Sequence, residues 1–186
     1  MVEKMDASSN SSMRADHCFA PLASPEARLL ILGSYPGVTS LEKREYYAHP
    51  RNAFWDIVAE LVGFERTLEY EGRASAVQQA GIALWDVLYS CSRVGSLDAK
   101  IESPSIVIND FKTFFRKYQM IEVIVFNGAK AEQEFRKRVM PVSADLLGSK
   151  QLVRLPSTSP AMASLNYREK LKSWAVIKDY LLQENT

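Results

Sequence analysis

Residues 28–55 read RLLILGSYPGVTSLEKREYYAHPRNAFW, and the fold is decided by how this stretch changes character along its length. Residues 29–32 form an unbroken apolar run, as a strand buried on both faces requires. Gly33, Pro36 and Gly37 then break the run into a loop crowded with polar and aromatic side chains. Regular structure resumes near Asn52, whose side chain can cap a helix burying Phe54, Trp55, Ile57, Val58 and Leu61. A hydrophobic strand that delivers a polar, Gly/Pro-shaped loop is how open α/β proteins place a site at the carboxyl end of their sheet.

Three further apolar runs read as core strands: residues 82–88, residues 121–126 closed by Asn127 and Gly128, and residues 152–155 closed by Pro156. Helical patterns separate them. One carries Ala74, Val77 and Ala80 and ends at Gly81, and others span residues 52–62, 105–118, 129–139 and 166–183. Strand and helix in alternation imply an α/β fold, a three-layer αβα sandwich around a central, mostly parallel four-stranded sheet. The strand ends, at residues 33–37, 86–92, 127–128 and 156–160, all carry polar or turn-forming residues, so the site is expected there.

With 186 residues the chain suits one domain with a substantial core, expected over residues 17–186 behind a serine-rich, disordered tail at residues 1–16. A net charge of +1 creates no global basic field, although a local basic rim (Arg93, Lys100, Arg168, Lys170) would suffice to meet a few phosphates. Cys18 and Cys91 are isolated, which gives no metal-site spacing and suits a reducing compartment. No run is long enough to span a membrane and no apolar leader opens the chain, so a soluble, cytoplasmic protein is expected.

Taken in order, GSYPG, YYAHPRNAFW, ALWDVLYSCSRVGSLD, VFNG and LPSTSPA resemble the uracil-DNA glycosylase superfamily over about residues 20–183, most of all its hypoxanthine (deoxyinosine) branch. The resemblance implies a monofunctional DNA glycosylase that removes deaminated bases by base flipping, without metal or cofactor, as a monomer. GSYPG matches the first motif of the mismatch-specific uracil and thymine relatives, and LPSTSPA matches the second. The departure is Tyr35, where those relatives carry a water-positioning Asn; a phenol with a pKa of ~10 is a poor base. The hypoxanthine branch shares that departure and is thought to use the Asn of its HPxN segment, which is Asn52 here.

The resemblance therefore assigns water positioning to Asn52, whose local reading as a helix cap stands beside it. It assigns base stacking to Tyr47, with Tyr46 or Tyr35 as alternates, and base-edge readout to Asp86, where several relatives carry Asn. Gly33, Ser34, Tyr35 and Pro36 frame the base pocket. Asn127 serves as base contact, pocket wall or turn residue. Ser157, Thr158 and Ser159 would grip phosphates, and Leu165 rather than Met162 would fill the gap in the base stack. His49 is read as a loop-fixing residue. Other readings are a glycosylase for uracil or mismatches, a small α/β hydrolase of nucleotides, and a non-catalytic nucleotide-binding module. The hydrolase lacks a GxSxG elbow and the module lacks GxGxxG or P-loop spacing.

Overall fold

The computed structural model describes residues 17–93 and 95–182; the expected tail at residues 1–16 and Gln183 lie outside them. β1 (Leu29–Gly33) is buried along its whole length and is followed by a short helix α1 (Val38–Lys43) inside what reads from sequence as loop. Then come α2 (Phe54–Val62), α3 (Tyr70–Gln79) and β2 (Ile82–Asp86). β3 (Leu88–Ser90), β4 (Val107–Ile108), α4 (Phe111–Lys117) and β5 (Val123–Asn127) lead to α5 (Ala129–Glu134) and α6 (Met140–Leu147). β6 (Gln151–Leu155), α7 (Tyr167–Trp174) and α8 (Val176–Leu182) complete the described chain.

The four-stranded sheet has the order β2-β1-β5-β6 and every pairing in it is parallel. Because β1→β2 and β5→β6 step in opposite directions, right-handed crossovers place their helices on opposite faces. α2 packs with α3, α7 and α8, while α4 packs with α6. On one side Phe54 meets Trp55 and Trp174; on the other, Trp85 meets Phe111 and Phe114, and Phe126 meets Phe135. This is the αβα sandwich the alternation implies. Leu22 and Leu84 exchange backbone hydrogen bonds of 3.0 and 2.8 Å, so the lead-in covers the outer edge of β2. Among the described residues no helix is long and apolar enough to cross a membrane.

Several boundaries differ from the sequence reading. The run at residues 82–88 divides at Val87, because Leu88–Ser90 leaves the main sheet to pair antiparallel with Val107–Ile108. A 3-10 turn ends at Ser105 and residues 106–110 are not helical; the buried Asn109 donates to the Asp86 carbonyl at 2.8 Å, and Asp110 caps α4 by accepting the Thr113 N–H at 3.0 Å. The helical pattern at residues 129–139 widens into a π-turn over Phe135–Val139 and continues as α6. Pro141 is the physical reason, since it has no N–H with which to continue the i→i−4 ladder. At the C-terminal end, Asn166 and Glu169 form a capping box that starts α7.

Candidate active site

The carboxyl ends of the parallel strands open on a cavity of about 580 Å3. It lies where the sheet order reverses, between β1 and β5, the position at which open α/β sheets bind ligands. Asn52, Tyr47, Asp86, Asn127 and residues 33–36 and 157–159 all border this cavity; Leu165 is half-buried outside it, with Met162 at the lip instead, and none of the four cations expected on a basic rim lines it.

β1 and β2 run in a register that sets Gly33 level with Asp86. A Cβ on Gly33 would collide with Asp86 Oδ1 and lie 3.3 Å from the Tyr47 hydroxyl, so glycine here makes room for two functional side chains. Asp86 is buried, and its Oδ2 has no hydrogen-bond partner among the described residues. Burial, then the charge of Asp98, push its carboxyl up to about 7 against the pull of Arg93.

Tyr47 adopts the left-handed conformation at φ 54°, which is costly for an aromatic residue. Its neighbours enforce it: the Tyr46 N–H donates to the Tyr70 hydroxyl, the Tyr46 carbonyl accepts Trp55 Nε1, and the Ala48 N–H donates to Ser40 Oγ. The Tyr47 ring stacks on Phe54 with centroids 3.8 Å apart, which gives the cavity a rigid aromatic wall. Among the described residues its hydroxyl makes no hydrogen bond of ordinary geometry, although the Asn127 amide lies beside it. Burial and the Asp86 charge hold the phenol far above its ordinary range. Tyr46 is a strut rather than a stacking residue, since its hydroxyl donates to the Ala20 carbonyl at 3.1 Å.

The GSYPG loop is sewn to the segment after β3. Ser34 Oγ donates to Asp98 Oδ1 at 2.7 Å, and the Val38 N–H donates to Ser96 Oγ at 3.0 Å. Arg93, expected on a basic rim, instead has a side chain only 3% exposed. Its guanidinium donates to the Pro36 carbonyl, lies 5.0 Å over the Tyr35 ring and approaches Asp98 Oδ1 to 3.8 Å. Partial burial raises the Asp98 carboxyl, while the Ser34 hydroxyl, Arg93 and Lys130 oppose the rise; with 43% of the side chain exposed, water moderates the effect of burial. The sequence reading overlooked Asp98 even though it closes the GSLD end of a quoted motif; a lone Asp beside a turn signals nothing until the fold brings it to Ser34.

Asn52 sits one residue ahead of the helix cap proper, which is Ala53. Its Oδ1 accepts the Phe54 N–H at 3.0 Å, so the capping reading holds in the form of an Asx turn. That bond occupies one lone pair of the carboxamide oxygen and leaves the second, and Asn52 borders both the main cavity and an adjoining cleft of about 280 Å3. His49 Nδ1 accepts the Arg51 N–H at 3.2 Å, which fixes the loop.

The loop after β6 is clamped from several sides. The Asn127 amide accepts the Thr158 N–H and donates to the Thr158 hydroxyl oxygen, the Ala53 N–H donates to the Thr158 carbonyl, and Trp174 Nε1 donates to the Pro156 carbonyl. Thr158 is wholly buried, so its expected phosphate contact is corrected to a structural role, leaving Ser157 and Ser159 half-exposed on the surface of the loop. Lys170 is corrected likewise: it is 5% exposed and donates to the Ser159 carbonyl at 3.0 Å instead of standing on a basic rim.

The family model for the uracil DNA glycosylase superfamily matches residues 20–180. Two relatives named hypoxanthine DNA glycosylase, from Methanosarcina barkeri and Methanosarcina acetivorans, are 34% and 36% identical over 114 residues, which cover 61% of this chain and 71% of each relative. A solution NMR structure of a Methanosarcina acetivorans protein, provisionally assigned as a uracil DNA glycosylase, superposes with a TM-score of 0.74 at 29% identity, covering 90% of this chain and 99% of that one.

Proposed function

This chain belongs to the uracil DNA glycosylase superfamily, and on that footing we propose that it excises deaminated bases from DNA, hypoxanthine foremost, by hydrolysing the bond from base to C1′. One observation carries the reading: Asn52, Tyr47 and Asp86 face a single cavity at the reversal point of the sheet. The two relatives named for hypoxanthine support the choice of base.

The target nucleotide is extruded from the duplex so that its base enters the cavity. Tyr47, held rigid on Phe54, stacks on the base, a contact worth roughly 1–3 kcal/mol. Asp86 meets the polar edge of the base. The remaining lone pair of the Asn52 carboxamide oxygen orients a water toward C1′. An amide does not deprotonate water, and none is needed early, because the water becomes acidic only as the sugar turns oxocarbenium-like. The GSYPG loop, braced by Arg93, frames the pocket, and Asn127 holds the Thr158 loop in place. Ser157 and Ser159 contact the flanking phosphates, and the apolar side chains that follow them, Met162 at the lip and Leu165 beyond, fill the vacated stack.

Cys18 and Cys91 are unpaired thiols, which supports a reducing compartment such as the cytoplasm. The test is to offer duplex oligonucleotides containing deoxyinosine or deoxyuridine and to cleave abasic products with alkali. Strand breaks at deoxyinosine are expected, and an absence of breaks at every base overturns the proposal.

A further inference from the structure

Among the described residues, the carboxyls that border the cavity are those of Asp86 and Asp98, and the buried guanidinium of Arg93 acts on both. That guanidinium hydrogen-bonds the Pro36 carbonyl and approaches Asp98, whose Oδ1 lies 3.8 Å from Arg93 Nη1 and accepts the Ser34 hydroxyl at 2.7 Å; Arg93 Nε and Nη1 have no hydrogen-bond partner among the described residues. Among the described residues Asp86 has no such company: its Oδ2 is buried without a partner, and Asn109 holds its backbone carbonyl rather than its carboxyl group. Lys130, which also attracts Asp98, pairs with Glu134 at 2.8 Å. A buried carboxylate without donors is strongly disfavoured, whereas the neutral acid is tolerated and offers an O–H to a ligand. The surroundings decide which acid keeps a proton: Asp98, with 43% of its side chain exposed and the Ser34 hydroxyl donating to it, is the anion, and the buried Asp86 is the acid.

Resting on the glycosylase reading above, we propose that Asp86 is the general acid of the reaction, donating its proton to N7 of the departing purine, and that Asp98 is the positioning residue whose charge keeps that proton on Asp86. The C1′–N9 bond breaks with its electron pair going to the base, the Asp86 proton bonds to N7, and hypoxanthine leaves neutral. The water oriented by Asn52 forms the new C1′–O bond, and its released proton restores the acid. N7 belongs to the ring that receives the C1′–N9 electrons, and uracil has no equivalent atom, so the device favours a deaminated purine over uracil.

The groups facing the pair are consistent with this division. Around Asp86 stand Arg93, the Cys18 thiol pushed up to about 12, and the Tyr46 and Tyr47 phenols, all three of these acids held neutral chiefly by burial. Around Asp98 stand Arg93, Lys130, Cys91 and Tyr47. Near neutral pH, the Asp86 proton therefore responds mainly to Asp98 and Arg93.

The experiment is the pH dependence of single-turnover deoxyinosine excision by the full chain. The wild-type rate falls as pH rises through neutrality, and Asp98→Asn moves that fall to lower pH by roughly one unit, leaving the variant about tenfold slower near pH 8. Ser34→Ala shifts the fall in the same direction, since Asp98 without its hydrogen bond takes up the proton more readily; it carries the test if Asp98→Asn does not fold. A 7-deaza-deoxyinosine substrate slows the wild type and abolishes its difference from Asp86→Asn. Deoxyinosine excision with a fall that neither variant moves, or with a rate that rises with pH, overturns this inference alone. Inactivity on every base overturns the glycosylase reading and this inference with it.

Discussion

Asn127 holds Thr158 at two points: Oδ1 accepts the Thr158 N–H at 2.8 Å and Nδ2 donates to Thr158 Oγ1 at 2.9 Å. The clamp joins the end of β5 to the loop after β6, and with Thr158 wholly buried neither bond has water as a substitute. Asn127→Ala is expected to cost on the order of 1–3 kcal/mol in urea unfolding and to weaken DNA binding. Thr158→Val keeps the N–H bond and should cost less. Wild-type stability in Asn127→Ala would show that the loop holds itself.

Gly33→Ala places a methyl group against Asp86 Oδ1. Displacing a group at the reacting base is expected to reduce deoxyinosine excision about 100-fold, read in single-turnover assays. Adding Asp86→Ala should recover stability, measured by thermal melting, without recovering activity. A fully active Gly33→Ala enzyme would mean that Asp86 moves without consequence.

Asn52→Ala removes both the bond to the Phe54 N–H and the proposed water contact. The first loss is worth about 1 kcal/mol, too little to unfold the chain. The excision rate should nevertheless fall by about 100-fold or more while abasic-site DNA still binds. A near-normal single-turnover rate would remove Asn52 from the mechanism.

Asp86 also predicts a pH dependence of stability. Its folded-state pKa is raised, to about 7, above the unfolded value, so its contribution is full below the unfolded pKa and is lost as pH rises to the folded one. Asp86→Asn abolishes that loss, so the variant should gain stability over wild type as pH increases, by an order of a few kcal/mol near pH 8. Melting temperatures measured from about pH 4.5 to 8 check this; a constant difference across that range would place the Asp86 titration elsewhere.

Tyr35→Phe preserves the ring beneath the Arg93 guanidinium, and its effect on excision should be small. A loss matching that of Asn52→Ala would make the phenol a principal catalyst.

The strands and most helices were legible in the sequence because their signals are local. Residues 29–32 are apolar without a break, and the spacing of Tyr167, Leu171 and Trp174 needs no distant partner to be read as one helical face. The reading failed where a long-range contact overrode the local pattern. Residues 105–110 carry helical spacing, yet β4 pairs with β3 and Asn109 is drawn to the Asp86 carbonyl. Arg93 and Lys170 read as surface cations until packing buried them beneath the two loops that frame the cavity.

By itself the sequence determined the layered α/β fold, the loops at the strand ends and the family resemblance, all properties of residue type and order. Only the tertiary structure decided the division of labour around the cavity. Asn52 both caps and borders the cavity, Tyr47 is strained and braced, Thr158 is a clamp, and Asp98 stands beside Ser34 across 64 residues of chain. The reason is physical: charge, burial and proton affinity at Asp86 depend on which groups surround it, and that company is assembled only when β1, β2 and the segment after β3 converge.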